Sequence, residues 1–183
     1  LVNGWQLSGT TQLQSGANLS GVSSNGNFNI ALNGITIPGT TEKISNQSIL
    51  GTNAIQLNPL ITCDPTANLG PHQWVNASCF SVPTQTGQNG PIVLPAIYGP
   101  AFFDSDLGLF KNFQIKESMK LQFRIEANNF LNHPLWSMNQ GNALNLSFTQ
   151  DAAGNISQSN KQFGIAQYKT GQRIVQMAVK FYF

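Results

Sequence analysis

Met119-Lys-Leu-Gln-Phe-Arg-Ile-Glu-Ala-Asn128 alternates residue by residue between two chemistries. Met119, Leu121, Phe123, Ile125 and Ala127 fall on one side of an extended chain; Lys120, Gln122, Arg124, Glu126 and Asn128 fall on the other. A period of two marks a strand with two unlike faces, because successive side chains of a strand point to opposite sides. Just upstream, Leu107, Leu109, Phe113 and Ile115 alternate with Asp106, Gly108, Phe110, Asn112 and Gln114, and the short Lys116, Glu117, Ser118 link makes the two runs a hairpin.

The pattern recurs towards both ends. Trp5, Leu7, Gly9, Thr11 and Leu13 alternate with Gln6, Ser8, Thr10, Gln12 and Gln14, and Val175, Met177, Val179, Phe181 and Phe183 alternate with Gln176, Ala178, Lys180 and Tyr182. Each run is about 10 residues, the length with which a tilted strand crosses a bilayer.

Composition narrows the classes. The 183 residues include 9 Lys+Arg and 7 Asp+Glu, so 9% are charged against about 25% in ordinary soluble domains. Asn, Gln, Ser, Thr and Gly take the place of charge, which argues against a cytosolic enzyme and a charge-rich tail. A net charge of +2 offers no electrostatic footprint for nucleic acid. No run approaches the roughly 18 apolar residues of a transmembrane helix. A secreted soluble protein and a membrane β-barrel both remain, since barrel strands evade a hydropathy scan.

The polar rows carry mainly amides and hydroxyls, which suit a water-filled lumen better than a sandwich exterior. The connections are unequal: spanning strands are expected at about 5–14, 105–115, 119–130 and 171–183, with long connections at about 15–104 and 131–170 and only a turn at 116–118. Long loops on one side and tight turns on the other is the asymmetry of outer-membrane barrels. The expected fold is therefore all-β: antiparallel strands of a transmembrane β-barrel with long extracellular loops. Phe28 to Ile37 and Ile92 to Tyr98 are candidates for short extra strands, and Leu144 to Ile156 for a small hairpin turning near Asp151 to Asn155.

Lys111 breaks the apolar row, where a Lys at the bilayer midplane costs about 2 to 4 kcal/mol. Two explanations stand open: its stem snorkels to the interface near the short turn, or a bulge shifts the register.

Cys63 and Cys79 lie 16 positions apart among Pro, Asn, Gly and Ser, and the only histidines are His72 and His133. These cannot assemble a four-ligand zinc site at short spacing. A disulfide, worth about 3 kcal/mol for a loop of this size, is expected and implies an oxidising compartment; two buried thiols are the alternative.

Gly99-Pro-Ala-Phe-Phe-Asp-Ser-Asp-Leu-Gly-Leu-Phe-Lys-Asn-Phe113, followed by Lys120-Leu-Gln-Phe-Arg-Ile-Glu-Ala-Asn-Asn-Phe-Leu-Asn-His-Pro134, resembles the closing strands of TonB-dependent outer-membrane receptors. The subgroup it resembles carries a carboxypeptidase-regulatory-like domain at its N-terminus. Gly171-Gln-Arg-Ile-Val-Gln-Met-Ala-Val-Lys-Phe-Tyr-Phe183 is similar to their terminal strand, although Gln172 separates a Gly and an Arg that are adjacent in many relatives. Gly4-Trp-Gln-Leu-Ser-Gly9 resembles an upstream strand, and Cys63-Asp-Pro, Gly70-Pro-His-Gln-Trp and Cys79-Phe resemble the subgroup's Cys-containing extracellular loop.

The resemblance implies a C-terminal segment of a larger barrel, since four spanning strands cannot close one and the smallest bacterial example has eight. The plug domain and the TonB-contacting box would lie outside this chain. It also implies a role for Val175, Met177, Val179, Phe181 and Phe183 as the terminal signal read by the barrel-assembly machinery. The implied partners are outer-membrane lipid, that machinery, the TonB energy-coupling complex through the plug, and a nutrient, with the C-terminus periplasmic.

No catalytic constellation and no calcium loop is present, and neither a cofactor nor a metal is expected. Asp104 and Asp106 read as a solvated strand edge, and His72 and His133 as loop histidines beside Pro. Lys120, Gln122, Arg124 and Glu126 are expected to face the lumen, lining a substrate route or forming a polar ladder against a plug or neighbouring strands. Among the loop aromatics Trp74, Phe80, Tyr98 and Trp136, Trp74 and Tyr98 are the candidate ligand contacts, through stacking on sugars or peptides; packing within the loops is the competing reading. A passive porin-type barrel and a secreted β-sandwich binding module are the alternative functions.

Overall fold

A computed structural model of the chain describes residues 3–20, 28–138 and 143–183. Among these the strands are β1 (Trp5–Gln14), β2 (Ile30–Leu32), β3 (Leu60–Ile61), β4 (Phe80–Ser81), β5 (Phe102–Lys116), β6 (Met119–Asn128), β7 (Leu135–Ser137), β8 (Leu146–Gln150), β9 (Ile156–Gln158), β10 (Tyr168–Thr170) and β11 (Ile174–Tyr182). One short helix, α1 (Asn46–Leu50), and a 3₁₀ turn at Ala77–Cys79 complete the regular structure. The chain divides into a sheet unit of Leu1–Ser15, Ala101–Trp136 and Lys169–Phe183, and a second unit of Gly16–Pro100 and Ser137–Tyr168.

The sheet unit holds four antiparallel strands in the order β1-β5-β6-β11. β5 and β6 are joined by the tight turn that the sequence suggests, and the Gln114 side-chain amide closes it by donating to the carbonyls of Lys116 and Glu117. The strand bounds differ from the sequence expectation by two residues or more at three ends, each for a local reason. β5 starts earlier, at Phe102, because Gln14 pairs with it. β6 stops at Asn128 because Asn129 takes a left-handed φ of 47°, which ends a strand. β11 starts at Ile174 because Gly171, at φ 82°, separates it from β10; a Cβ there would meet Leu135 Cγ at 2.8 Å. Buried Asn129 ties these two chain reversals together. Its side-chain amide donates to the His133 carbonyl at 2.8 Å and to the Gly171 carbonyl, and its Oδ1 accepts from the His133 N–H at 2.9 Å.

The second unit contains the segments that read from sequence as long loops, and they are built as a folded body with a core. Phe28, Ile35, Ile49, Val75, Phe80, Ile97, Leu146, Phe148 and Phe163 are among its buried side chains. The Phe28, Phe80 and Phe163 rings lie 5.5 to 5.8 Å apart. β8 and β9 form the expected hairpin around Asp151–Asn155, and β2 joins β8 in parallel, so the two long connections share one sheet. Of Phe28 to Ile37 only Ile30–Leu32 is a strand. Ile92 to Tyr98 forms none, contributing an isolated bridge from Tyr98 to Asn18. The neck of the first connection is held by Leu19 N–H to Ile97 O at 2.7 Å and Gly99 N–H to Ala17 O at 2.9 Å. The chain there passes so closely that a Cβ on Gly16 would stand 1.9 Å from the Gly99 carbonyl oxygen. β3 and β4 pair, and the span between them is bridged by the Cys63–Cys79 disulfide with its Cα atoms 4.9 Å apart.

Candidate functional site

The register of the sheet sorts its side chains into rows. On one face Leu7, Leu109, Ile125 and Met177 stand side by side; so do Trp5, Lys111, Phe123 and Val179 in the next row, and Phe113, Leu121 and Phe181 towards the turn. This apolar face is uncovered: Leu7, Leu109, Ile125 and Met177 are 68, 37, 46 and 79% exposed. Burying such a side chain away from water is worth about 1.5 to 3 kcal/mol, so a face of this extent is not one that a water-soluble fold leaves open. By contrast, every member of the buried hydrophobic core among the described residues lies in the second unit, and the buried polar residues of the sheet unit are Ser105, Lys111, Gln122 and Asn129. A sheet with one uncovered apolar face and an opposite face of amides, hydroxyls and charged groups is the arrangement of a barrel wall in lipid.

Lys111 stays on the apolar row. The β1–β5 register runs unbroken through it, opposite Trp5, and the irregularity of the β5–β6 pair comes only at Gln114/Lys116. The bulge explanation therefore fails at this position. Its ammonium donates to the Asn3 carbonyl at 2.7 Å, and lies 4.8 Å from the Trp5 ring centroid and 5.3 Å from that of Phe113. Those neighbours leave Lys111 only 7% exposed. A cation over two aromatic faces is stabilised by their quadrupoles; Phe113 lies two positions along the same row, whereas the Trp5 contact comes from a strand distant in sequence.

On the opposite face the row Lys120, Gln122, Arg124 and Glu126 is intact, but its members are not equivalent. Gln122 is buried, its amide donating to Asn112 Oδ1 at 2.7 Å and its Oε1 accepting from Arg124 Nε at 2.6 Å. The Tyr182 hydroxyl lies 3.4 Å from both Gln122 Oε1 and Arg124 Nη2. Lys120 Nζ sits 4.6 Å from the Tyr182 ring centroid, and the Arg124 guanidinium lies 5.3 Å from the Phe110 ring centroid. Gln122 is therefore a hub beneath its neighbours rather than a residue offered to solvent. Glu126 borders a shallow groove with Ser8, Thr10, Asp106, Gly108 and Asn128. Along this face Asp104, Asp106 and Glu126 stand towards the strand ends away from the turn, and Lys120, Arg124 and Lys180 stand nearer the turn.

The terminal row Val175, Met177, Val179, Phe181 and Phe183 is exposed along the apolar side of β11. The loop aromatics separate into different environments. Phe80 is buried in the core, and Trp74 packs against that core with its backbone N–H on the Gly164 carbonyl at 2.8 Å, whereas Tyr98 is exposed. Trp136 has Lys169 Nζ 5.9 Å from its ring centroid. His133 stacks edge-on to Phe103 with centroids 5.0 Å apart.

Two carboxyls of the second unit are held below their ordinary value. The Thr66 hydroxyl and N–H lower Asp64, and Asp151 is lowered first by the Asn155 side-chain amide and then by backbone N–H groups. Both are the acceptors of local turns, Asp64 with Thr66 at 2.7 and 2.8 Å and Asp151 with Asn155 at 2.8 and 2.9 Å. Among the described residues no cluster of three or more His, Cys, Asp or Glu is placed to hold a metal ion.

A family profile described as an outer membrane beta barrel domain matches residues 1–176. The comparison with curated proteins found no match, and that with solved structures found none.

Proposed function

The chain belongs to the outer membrane β-barrel domain family, and from that premise we propose that it is the wall and receptor segment of a TonB-dependent transporter for a large nutrient. The observation that carries this reading is the pairing of a two-faced sheet with a cored second unit. β1, β5, β6 and β11 supply part of the barrel wall, with Leu7, Leu109, Ile125 and Met177 against lipid and the Glu126 groove towards the lumen. A second unit of more than 100 residues, cored and disulfide-bridged, suits a receptor that must recognise cargo before admitting it.

In this reading the second unit is extracellular and presents Tyr98 and the exposed side of Trp74 to cargo. The Glu117–Ser118 turn and the C-terminus are periplasmic. The row from Val175 to Phe183 is read by the barrel-assembly machinery, and the remaining strands, the plug and its TonB-contacting box belong to other parts of the protein. The chain performs no chemistry on its cargo. Oligosaccharide is the cargo class, on the strength of the family resemblance and of wall and loop surfaces rich in amides and hydroxyls.

The test is uptake of fluorescently labelled oligosaccharides by cells making the full-length protein, with and without the energy-coupling protein. Uptake that requires both is expected. Uptake that persists without coupling would make the barrel a passive porin, and no uptake of any labelled sugar would reject the cargo class.

A further inference from the structure

β11 bears two different kinds of side chain on its two faces. Its apolar row is exposed, whereas the last residue of its polar row is engaged by three others. Tyr182 pairs with Lys120 across the β6–β11 ladder, Lys180 with Gln122, and Ala178 with Arg124. Because Ala178 is small, the Arg124 guanidinium has room to lie along the polar face, and the Tyr182 phenol extends up the same face to meet it. The hydroxyl stands 3.4 Å from Arg124 Nη2 and 3.4 Å from Gln122 Oε1, and the ring carries Lys120 Nζ 4.6 Å from its centroid. Gln122 passes the connection on to β5 through Asn112 Oδ1 at 2.7 Å, and the Asn112 N–H donates to the Gly4 carbonyl, just before β1, at 2.8 Å. The side chain of the penultimate residue is thereby tied to β6 and, through Gln122 and Asn112, to β5 and to the residue that precedes β1.

We propose that Tyr182, with Lys120, Gln122, Arg124 and Asn112, is a latch that holds the last residues of β11 in the sheet. Strand ends fray when little beyond backbone pairing restrains them, and the β6–β11 pairing stops at Tyr182, opposite Lys120. The latch works on the polar face alone, so it leaves the apolar row from Val175 to Phe183 accessible. A partner that reads the apolar row and the latch that secures the strand therefore do not compete for the same side chains. The latch is a property of the sheet unit and stands whether or not the barrel is energised.

Hydrogen exchange measured by mass spectrometry on the full-length protein in lipid nanodiscs tests it, comparing amides at the end of β11 with those of the β5–β6 hairpin. Tyr182→Phe keeps the ring and its cation interaction and removes both long hydroxyl bonds; an increase of about threefold in exchange at residues 179–182 is expected. Gln122→Ala removes the hub, and Tyr182→Ala removes the ring as well. Each is expected to raise exchange there by about tenfold or more, since each removes stronger or more numerous interactions than Tyr182→Phe does. Lys180→Gln, outside the latch, should leave it unchanged. Exchange at the end of β11 that ignores Tyr182→Phe and Gln122→Ala alike would overturn the proposal. So would an equal rise across β5, β6 and β11, which would make these residues general supports of the sheet.

Discussion

If the apolar face meets lipid, the cost of placing an arginine on it must depend on depth, and the register sets the depths in advance. The Ile125 row lies four residues along the strand from the Phe113, Leu121 and Phe181 row, and Leu109 of the same row lies six residues from Phe103 at the other end of β5. At about 3.4 Å per residue and a tilt of about 40°, these steps are about 10 Å and about 15 Å of depth. Together they match the apolar band of about 25 Å and put Ile125 near its middle. Ile125→Arg is therefore expected to destabilise the full-length protein by about 2 to 4 kcal/mol, Phe181→Arg by about 0 to 1 kcal/mol beyond the loss of the ring, and Gln176→Arg on the polar face by little. Reversible denaturant unfolding from phospholipid vesicles, followed by tryptophan fluorescence, gives the three values. A flat profile, or Ile125→Arg no worse than Gln176→Arg, would refute the assignment of that face to lipid.

Removing the disulfide by replacing Cys63 and Cys79 with Ser should lower the stability of the second unit by about 3 kcal/mol while the folded-barrel band on unheated gels stays in place; limited proteolysis followed by such gels separates the two effects. Phe163→Ala, which opens the Phe28–Phe80–Phe163 cluster, should cost about 3 to 5 kcal/mol in the same unit, read as earlier protease cleavage in urea. Asp64 binds its proton less readily folded than unfolded, where its value is about 3.8; its turn bonds are therefore fully effective above that pH and are lost as pH falls through the lowered folded value. Asp64→Asn should accordingly flatten part of the acid limb of a stability profile taken below pH 4. Trp5→Leu should be more damaging with Lys111 present than with Lys111→Met, a coupling of about 1 kcal/mol in a double-mutant cycle; additivity would show that the ring does not shield the ammonium.

The strands of the sheet are legible because their two faces meet different surroundings, and a period of two survives in the sequence wherever that is so. Ile125 and Glu126 are neighbours in the chain and belong to opposite faces, and no long-range information is needed to see it. The second unit is different. Its order comes from pairs far apart in sequence, such as Ile30 with Leu146 in a parallel ladder, Gln150 capping Thr36, and Phe28 with Phe163. A segment rich in Gly, Asn and Ser with short apolar runs reads as loop because those partners are invisible along it. The same limit explains the site residues. Alternation puts Gln122 and Lys120 together on the polar face, yet the burial of Gln122 follows from Asn112 and Tyr182 on two other strands. Lys111 looks misplaced along its own strand, and Trp5 and the Asn3 carbonyl, both distant in sequence, help account for its position.

Two solvents act on one chain, and that accounts for the scarcity of charge better than either unit does alone. In the sheet unit every second strand residue faces the apolar side, where of the strand residues only Lys111 is ionic. The polar face then has half the positions of an ordinary surface, and several of those are consumed in a hydrogen-bonded network that needs amides able to donate and accept at once. Gln122 does both, bonding Asn112 with its NH₂ and Arg124 with its oxygen, which neither Glu nor Lys can do. The second unit makes the same choice for a related reason. Asn76, Asn89, Gln88 and Gln150 each use side-chain oxygens to take up backbone or hydroxyl donors that no strand or helix ladder satisfies, and a half-buried amide does this without the desolvation penalty of a charge. Amide and hydroxyl residues are thus the material from which a chain with little helix satisfies its backbone, and the 9% charge is what remains for the polar face and its turn, for Lys111, and for turns of the second unit such as those of Asp64 and Asp151.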